Sequence, residues 1–251
     1  MASLKSVPVA RALHRYYLEI TRPAPLSDFR DYDDYWSARI ADGRVSAVLD
    51  RHRIVARLLP DSASVLDIGC GDGTFLRHRV STRPDCRVEG ADISQVAIEQ
   101  LRAAGTPGYV IDSSAELSAQ VPAGWDAIVM MEVIEHMIDS EQMVREAIAL
   151  KPGRLYITVP NVGFILHRLR LVFGRFPVTT IIYHMKEHVR FWTVKDFTQW
   201  ADYLGLVILS CHGQVDRRDR ALGWLGRRWP SLFADRVVYE LAIKNTALLR
   251  Q

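Results

Sequence analysis

Val65-Leu66-Asp67-Ile68-Gly69-Cys70-Gly71-Asp72-Gly73-Thr74-Phe75 is the stretch on which the fold turns. An apolar run ending beside an acidic residue reads as a strand buried in a parallel sheet. Glycines then take alternate positions, where a backbone without Cβ turns sharply and admits a ligand closely. The turn is expected to feed a helix beginning near Gly73, with its first N–H groups directed at a nucleotide-like molecule. The spacing differs from two familiar phosphate cradles. A dinucleotide fingerprint needs G-x-G-x-x-G and a P-loop ends in Gly-Lys-Ser/Thr, and this turn has neither.

Outward from the turn, strand and helix patterns alternate. Ser64–Ile68, Arg87–Ala91, Gly108–Ile111, Ala127–Met131 and Arg154–Val159 read as strands. Gln95–Ala103 and Glu141–Leu150 between them are amphipathic. This alternation predicts an α/β, doubly wound, mostly parallel sheet. Residues 1–60 differ in character: an acidic, aromatic stretch from Tyr32 to Trp36 is followed by a helical pattern through Leu59. They read as an N-terminal helical cap over the site, or as a helix packed on the sheet, ahead of a main domain over 61–251.

Bulk properties set the class. With 251 residues and 49% apolar content, the chain can build one domain plus an elaboration. A net charge of +3 is too weakly basic to require nucleic acid. Cys70, Cys86 and Cys211 are widely spaced, which suggests neither a disulfide framework nor a structural zinc site. The N-terminus lacks the apolar core of a signal peptide, and no apolar run reaches membrane-spanning length. The expectation is a cytoplasmic enzyme, with peripheral membrane contact as the variant.

The pattern Asp67-x-Gly69-x-Gly71-x-Gly73 resembles the first motif of class I S-adenosylmethionine (SAM) methyltransferases. The resemblance implies a Rossmann-like, seven-stranded sheet whose antiparallel C-terminal edge would come from Leu206–Gly213 and Val237–Lys244. It also implies SAM as cofactor, held by Asp67, Gly69, Cys70, Gly71 and Gly73 at the turn. SAM has no pyrophosphate but carries an amino-acid tail and a sulfonium, so an acidic residue at the turn suits it better than a phosphate nest. Asp92, with Ile93 beside it, follows the next strand at a distance where a carboxylate can accept from both ribose hydroxyls. Asp112 ends the following strand, where the resemblance puts a carboxylate near the adenine, with Ser113 sharing that contact. Both aspartates also suit helix capping. Met131 completes the cofactor set.

The chemistry is expected in Met131-Glu132-Val133-Ile134-Glu135-His136-Met137. If this segment winds into a helix, Glu132, Glu135 and His136 share one face. Two carboxylates and an imidazole are costly to bury without a partner, and a divalent cation removes that cost. Downstream lies His184-Met185-Lys186-Glu187-His188-Val189-Arg190-Phe191-Trp192-Thr193, a loop before the amphipathic stretch Val194–Leu204, with Thr193 as its N-cap. Glu-Val-x-Glu-His followed by acidic-His-x-x-x-Trp-Thr resembles the small-RNA 3′-terminal 2′-O-methyltransferases. The ubiquinone-biosynthesis O-methyltransferases are similar over the same stretch, with a looser match around His188. The resemblance implies metal ligation by Glu132, Glu135, His136 and His188, with His184 competing for the last place. Mixed N/O ligation suits Mg, Mn, Zn or Fe alike. In the metal-free alternative, His136 is a general base and Glu187 with Arg190 forms a surface ion pair.

The two related groups act on adjacent hydroxyls, which implies an O-methyltransferase whose acceptor presents a vicinal diol or catechol. On the substrate side, 162–177 is apolar with interspersed arginines, within a substrate-side insert or lid over 162–193. Such a segment suits a membrane surface, an anionic or lipid-linked substrate, or a lid with its apolar face on the core. A further stretch from Arg217 to Trp229 joins arginines with tryptophans, a combination that can stack on bases. Low net charge and the lack of a companion RNA-binding module favour a small-molecule, glycan or lipid-linked acceptor over RNA. A non-catalytic SAM-binding partner protein is the third class.

Overall fold

The computed structural model describes residue 17 and residues 30–42, 47–177, 188–214 and 220–244. One seven-stranded sheet forms its centre, built from β1 (Val65–Ile68), β2 (Val88–Asp92), β3 (Gly108–Val110), β4 (Ala127–Met131), β5 (Arg154–Pro160), β6 (Leu206–Gln214) and β7 (Arg236–Ile243). Their order is β3-β2-β1-β4-β5-β7-β6. Strands β1 to β5 pair in parallel. β7 runs antiparallel to both of its neighbours, inserted between β5 and β6. The expected antiparallel C-terminal edge is therefore present, although β6 itself points the same way as the parallel strands. Strand order reverses at β1 and β4, and a crevice opens outside the carboxyl ends of strands at such a switch point.

Helices cover both faces. Along β4, Ile128 and Met130 join a core with Met143 and Val144 of α5 (Ser140–Ala149) and Phe197 and Ala201 of α7 (Val194–Tyr203). Ala127, Val129 and Met131 join the opposite core. There they meet Val55 of α2 (Asp50–Leu58), Phe75 and Leu76 of α3 (Thr74–Thr82), and Ile98 and Leu101 of α4 (Gln95–Ala103). Every residue of β1 and β4 is buried because each face of the strand has its own helical cover. α7 begins as expected at Thr193, whose side chain accepts from the Asp196 N–H while Asp196 caps in return.

The N-terminal stretch divides into two parts. α2 is built into the core through Val55. α1 (Tyr32–Ala41) buries no residue and is held at its rim by polar contacts. Asp31 caps it, and Asp33 accepts from the Ser94 hydroxyl and the Val96 N–H at the start of α4.

α6 (Ile165–Val172) follows β5, with Ile165, Leu166 and Leu169 half-buried. His167 and Arg170 are its buried residues, whereas Leu171, Val172 and Phe173 are exposed. Arg170 can be buried because its Nε donates to the Phe176 carbonyl at 2.8 Å. Among the described residues, no helix is long and apolar enough to cross a membrane.

Candidate active site

A cavity of about 1030 Å³ opens at the switch point, lined by the glycine turn, the ends of β2 and β4, and His188. That is at the large end of ordinary ligand pockets. The turn has the backbone its glycines allow: Gly69, Gly71 and Gly73 have φ of 71°, 53° and 74°. A Cβ on Gly71 would lie 2.3 Å from the Trp36 ring of α1, so the missing side chain lets the cap close over the turn. Most N–H groups of the turn itself are engaged within the protein. Gly69 and Cys70 donate to the Ala91 carbonyl, Gly73 to Cys70, and the Thr74 N–H to Asp72 Oδ1. The turn is closed on itself, which suits a cofactor without a pyrophosphate.

Asp67, Asp92, Ile93, Asp112, Ser113 and Met131 all line the cavity, as do Gly69, Cys70 and Gly71. Gly73 lies at the N-cap of α3, behind the lining. Asp92 is buried and accepts from the Gly71 N–H at 2.9 Å and the Ser94 N–H at 2.9 Å. It thus braces the turn, and its remaining lone pairs are available to a ligand. Burial pushes its carboxyl above the usual range. Asp67 is pushed up further, by burial and by the charge of Asp92, and its Oδ1 has no hydrogen-bond partner. Asp112 is exposed and accepts from the Ser114 N–H and hydroxyl, which holds its carboxyl below the usual range.

The Glu/His segment departs from the expected helix. A single 3-10 turn spans Ile134–His136, and Glu132 precedes it with φ of 59°. A shared helical face is therefore absent, and the expected set of ligands divides. Glu132 is engaged by Arg236 of β7, whose Nε donates to Oε2 at 3.0 Å. Glu135, His136 and His188 come together instead, each offering a ligand atom within 4.8 Å of the others. The two imidazole rings lie 4.7 Å apart at 88°. Glu135 is wholly buried, and neither of its oxygens has a hydrogen-bond partner. Burial and the nearby Glu132 push its carboxyl well above the usual range. Burial, His136 and Arg236 push His188 down to about 3, so it is neutral at physiological pH. His184 and Glu187 lie outside the described residues. Arg190 pairs with Glu141 of α5.

Several cavity-lining residues carry no motif. Tyr32, Tyr35 and Trp36 of α1 line the cavity, and the Tyr32 ring meets His136 edge-on at 6.3 Å. Arg51 of α2 faces the cavity, and burial lowers its pKa. Its Nε has no hydrogen-bond partner, and the carboxylates of Glu132, Glu135 and Asp235 act on its charge from nearby. Gln214 and Arg236, paired across β6 and β7, complete the far wall. Only the aromatic character of 32–36 hinted at any of these, because lone arginines and glutamines at element ends have no spacing to read.

A family model described as a methyltransferase domain matches residues 37–211. The chain belongs to this family. It is a SAM-dependent methyltransferase, as the glycine turn led us to expect. The methyltransferase is 28% identical over 172 residues to the ubiquinone biosynthesis O-methyltransferase of Chromobacterium violaceum, covering 66% of this chain and 71% of that protein. It is 29% identical over 167 residues to the enzyme of the same name from Xylella fastidiosa, covering 64% and 67%. Among solved structures, a putative methyltransferase in complex with the Haloferax volcanii Trm112 activator superposes with a TM-score of 0.59 at 18% identity, covering 87% of this chain and all (100%) of that one. The methyltransferase domain of bacterial CtHen1-C gives 0.53 at 20% identity, covering 78% and 100%. The magnesium protoporphyrin IX methyltransferase of Synechocystis with bound SAH gives 0.53 at 15%, covering 93% and 95%. At these identities the structural likenesses establish the fold.

Proposed function

We propose that this methyltransferase transfers a methyl group to a hydroxyl of a small-molecule, glycan or lipid-linked acceptor bearing two adjacent hydroxyls, assisted by a divalent cation at Glu135, His136 and His188. The observation that carries the reading is Glu135. A carboxylate with no exposure and no hydrogen-bond partner, beside two imidazoles, is a costly arrangement unless a cation compensates it. SAM, when bound, supplies an electrophilic methyl group on a sulfonium. The residues that would hold it are the Gly69–Gly73 turn, Asp67, Asp92 with Ile93, Asp112 with Ser113, and Met131. A cation would supply Lewis-acid chemistry to the acceptor hydroxyl.

The protein's own contribution is position and dryness. Asp92 fixes the turn, Tyr32, Tyr35 and Trp36 of α1 line the cavity, and His136 and His188 face the same cavity as the turn, with Glu135 buried beside them outside the lining. His188 is neutral at physiological pH, so a ring nitrogen keeps a lone pair for ligation. Glu132 is held by Arg236, so the reading assigns three protein ligands and gives Glu132 the role of a neighbouring charge. The relatives named as ubiquinone biosynthesis O-methyltransferases favour oxygen as the methylated atom.

The acceptor side also favours peripheral contact with an anionic lipid surface. The segments 162–177 and 220–233 contain arginines and no aspartate or glutamate. They follow the carboxyl ends of β5 and β6 and are joined where Asn161 Nδ2 donates to the carbonyls of Pro230 and Ala234. Leu171, Val172, Phe173 and Phe176 of the first and Trp224 and Trp229 of the second are exposed, and Arg228 lies over the Trp229 ring. Arg217 and Arg218 lie outside the described residues. Apolar tips with flanking arginines are the composition of an interfacial contact.

The test is turnover of labelled SAM with catechols, sugars, membrane extract and total RNA, with and without EDTA. Transfer to a catechol or membrane-derived acceptor that EDTA abolishes is expected. Transfer to RNA 3′ ends, blocked by periodate, would establish the RNA reading instead; SAM binding without turnover would establish a partner protein.

A further inference from the structure

His188 reaches the cluster on a loop without regular structure, so its position is set by what the loop is tied to. Two successive N–H groups, of Val189 and Arg190, donate to the same carbonyl, that of Glu135, at 2.9 and 3.1 Å. The loop bearing one cluster residue is thereby bonded to the turn bearing the other two. The Arg190 side chain then reaches the chain just after that turn. Its Nη1 donates to the Ile138 carbonyl at 3.2 Å, and its Nη2 pairs with Glu141 in the first turn of α5. Glu141 Oε1 also accepts from Trp200 Nε1 of α7 at 2.6 Å. The guanidinium carbon lies 5.8 Å from the Trp192 ring centroid, and the Trp192 carbonyl accepts from the Val162 N–H after β5. The backbone of the His188 loop is thus bonded to the 134–136 turn, and the Arg190 side chain connects the loop to the Ile138 carbonyl just after that turn, to α5 and, through Glu141, to α7.

We propose that Arg190 is a positioning residue for the Glu135–His136–His188 cluster, clamping the His188 loop against the turn that carries the other two. Magnitudes separate this from an ordinary stability role. A pair exposed to the extent of Arg190 and Glu141 (33% and 20%) adds at most about 1 kcal/mol to folding. A fork of donors that sets the angle of a ligand loop acts mainly on the ligand set. Lysine cannot replace it, since a single ammonium cannot direct planar donors at a carbonyl and a carboxylate together.

The inference rests on the reading that the cluster holds a cation, and the experiment separates the two. EDTA-stripped protein is titrated with Co²⁺, read by its visible d–d absorption, and with S-adenosylhomocysteine. Backbone hydrogen exchange is followed in parallel. In Arg190→Ala we expect Co²⁺ affinity to fall roughly ten- to hundredfold, as for other residues that orient metal ligands. Arg190→Lys should recover only part of it, and Glu141→Gln should reproduce the loss if Arg190→Ala folds poorly. S-adenosylhomocysteine affinity should not change. The amides of 189 and 190 should exchange roughly tenfold faster while β4 amides are unaffected. Wild-type Co²⁺ affinity with protected 189 and 190 amides in Arg190→Ala would overturn the clamp. If the wild-type protein itself takes up no Co²⁺, the cation reading fails, and exchange alone decides whether the clamp exists.

Discussion

Replacing Glu135 with glutamine separates a metal ligand from a buried structural carboxylate, because the two readings predict opposite responses. In the metal-free protein this side chain is fully buried, lacks a hydrogen-bond partner and sits near Glu132. Glutamine there is as unpartnered as the protonated acid but needs no proton taken up on folding, so metal-free Glu135→Gln should be more stable than wild type at neutral pH by about 1–3 kcal/mol. The gain should grow with pH. The unfolded chain releases this proton in the ordinary carboxylate range while the folded metal-free protein retains it, so wild-type stability falls as pH rises above that range. A cation reverses the order. At about a hundred times its dissociation constant it adds about 2.7 kcal/mol to the wild type. For a chain of this size, at about 2–4 °C per kcal/mol, that raises the unfolding midpoint by about 5–11 °C. Glu135→Gln should show almost none of this rise while binding S-adenosylhomocysteine normally. Differential scanning calorimetry of EDTA-treated protein, titrated with Mn²⁺ or Zn²⁺, measures both effects. The reasoning is refuted if the variant gains as much from the cation as wild type does, or if wild type gains nothing and keeps full activity in EDTA.

Three other outcomes follow from the same geometry. His52 is buried and pushed down to about 3, by burial first and by Arg51 second, so the unfolded chain binds its proton between that value and the ordinary histidine range. Stability should therefore rise with pH through this window, and in urea titrations His52→Gln should remove about 1.4 kcal/mol per pH unit of the slope. Arg236→Met should cost about 3–5 kcal/mol by removing the guanidinium shared by the half-buried Glu132 and Asp235, with part of the loss regained in Arg236→Met/Glu132→Gln; additive losses in denaturant melts would exclude the pair. Binding to vesicles rich in anionic lipid, measured by co-sedimentation, should fall in Trp224→Ser/Trp229→Ser and weaken with salt, and indifference to both would remove the lipid-surface reading.

Legibility followed the range of the interactions involved. β4 and α4 were readable to the residue because burial on two faces gives a continuous apolar run and amphipathicity gives a helical period. The Glu/His segment was readable as chemistry but not as geometry. Its residue types announced a costly cluster, whereas the left-handed backbone at Glu132 is imposed by the exit from β4, where its N–H donates to Thr158 of β5. α6 shows the same limit. A helical period says which side is apolar but not how each residue is covered, and the burial of Arg170 depends on a bond to the Phe176 carbonyl that no spacing announces.

The sequence by itself determined the strand-turn-helix alternation, the glycine turn and hence the cofactor, since these depend on backbone sterics and local burial within a few residues. Only the tertiary structure decided which charges meet. Arg236 takes Glu132 from across the sheet, and His188 joins Glu135 and His136 through a loop pinned by Arg190. Pairing between residues far apart in the chain is set by strand order and by the cost of leaving a buried charge uncompensated, and neither is written in local spacing.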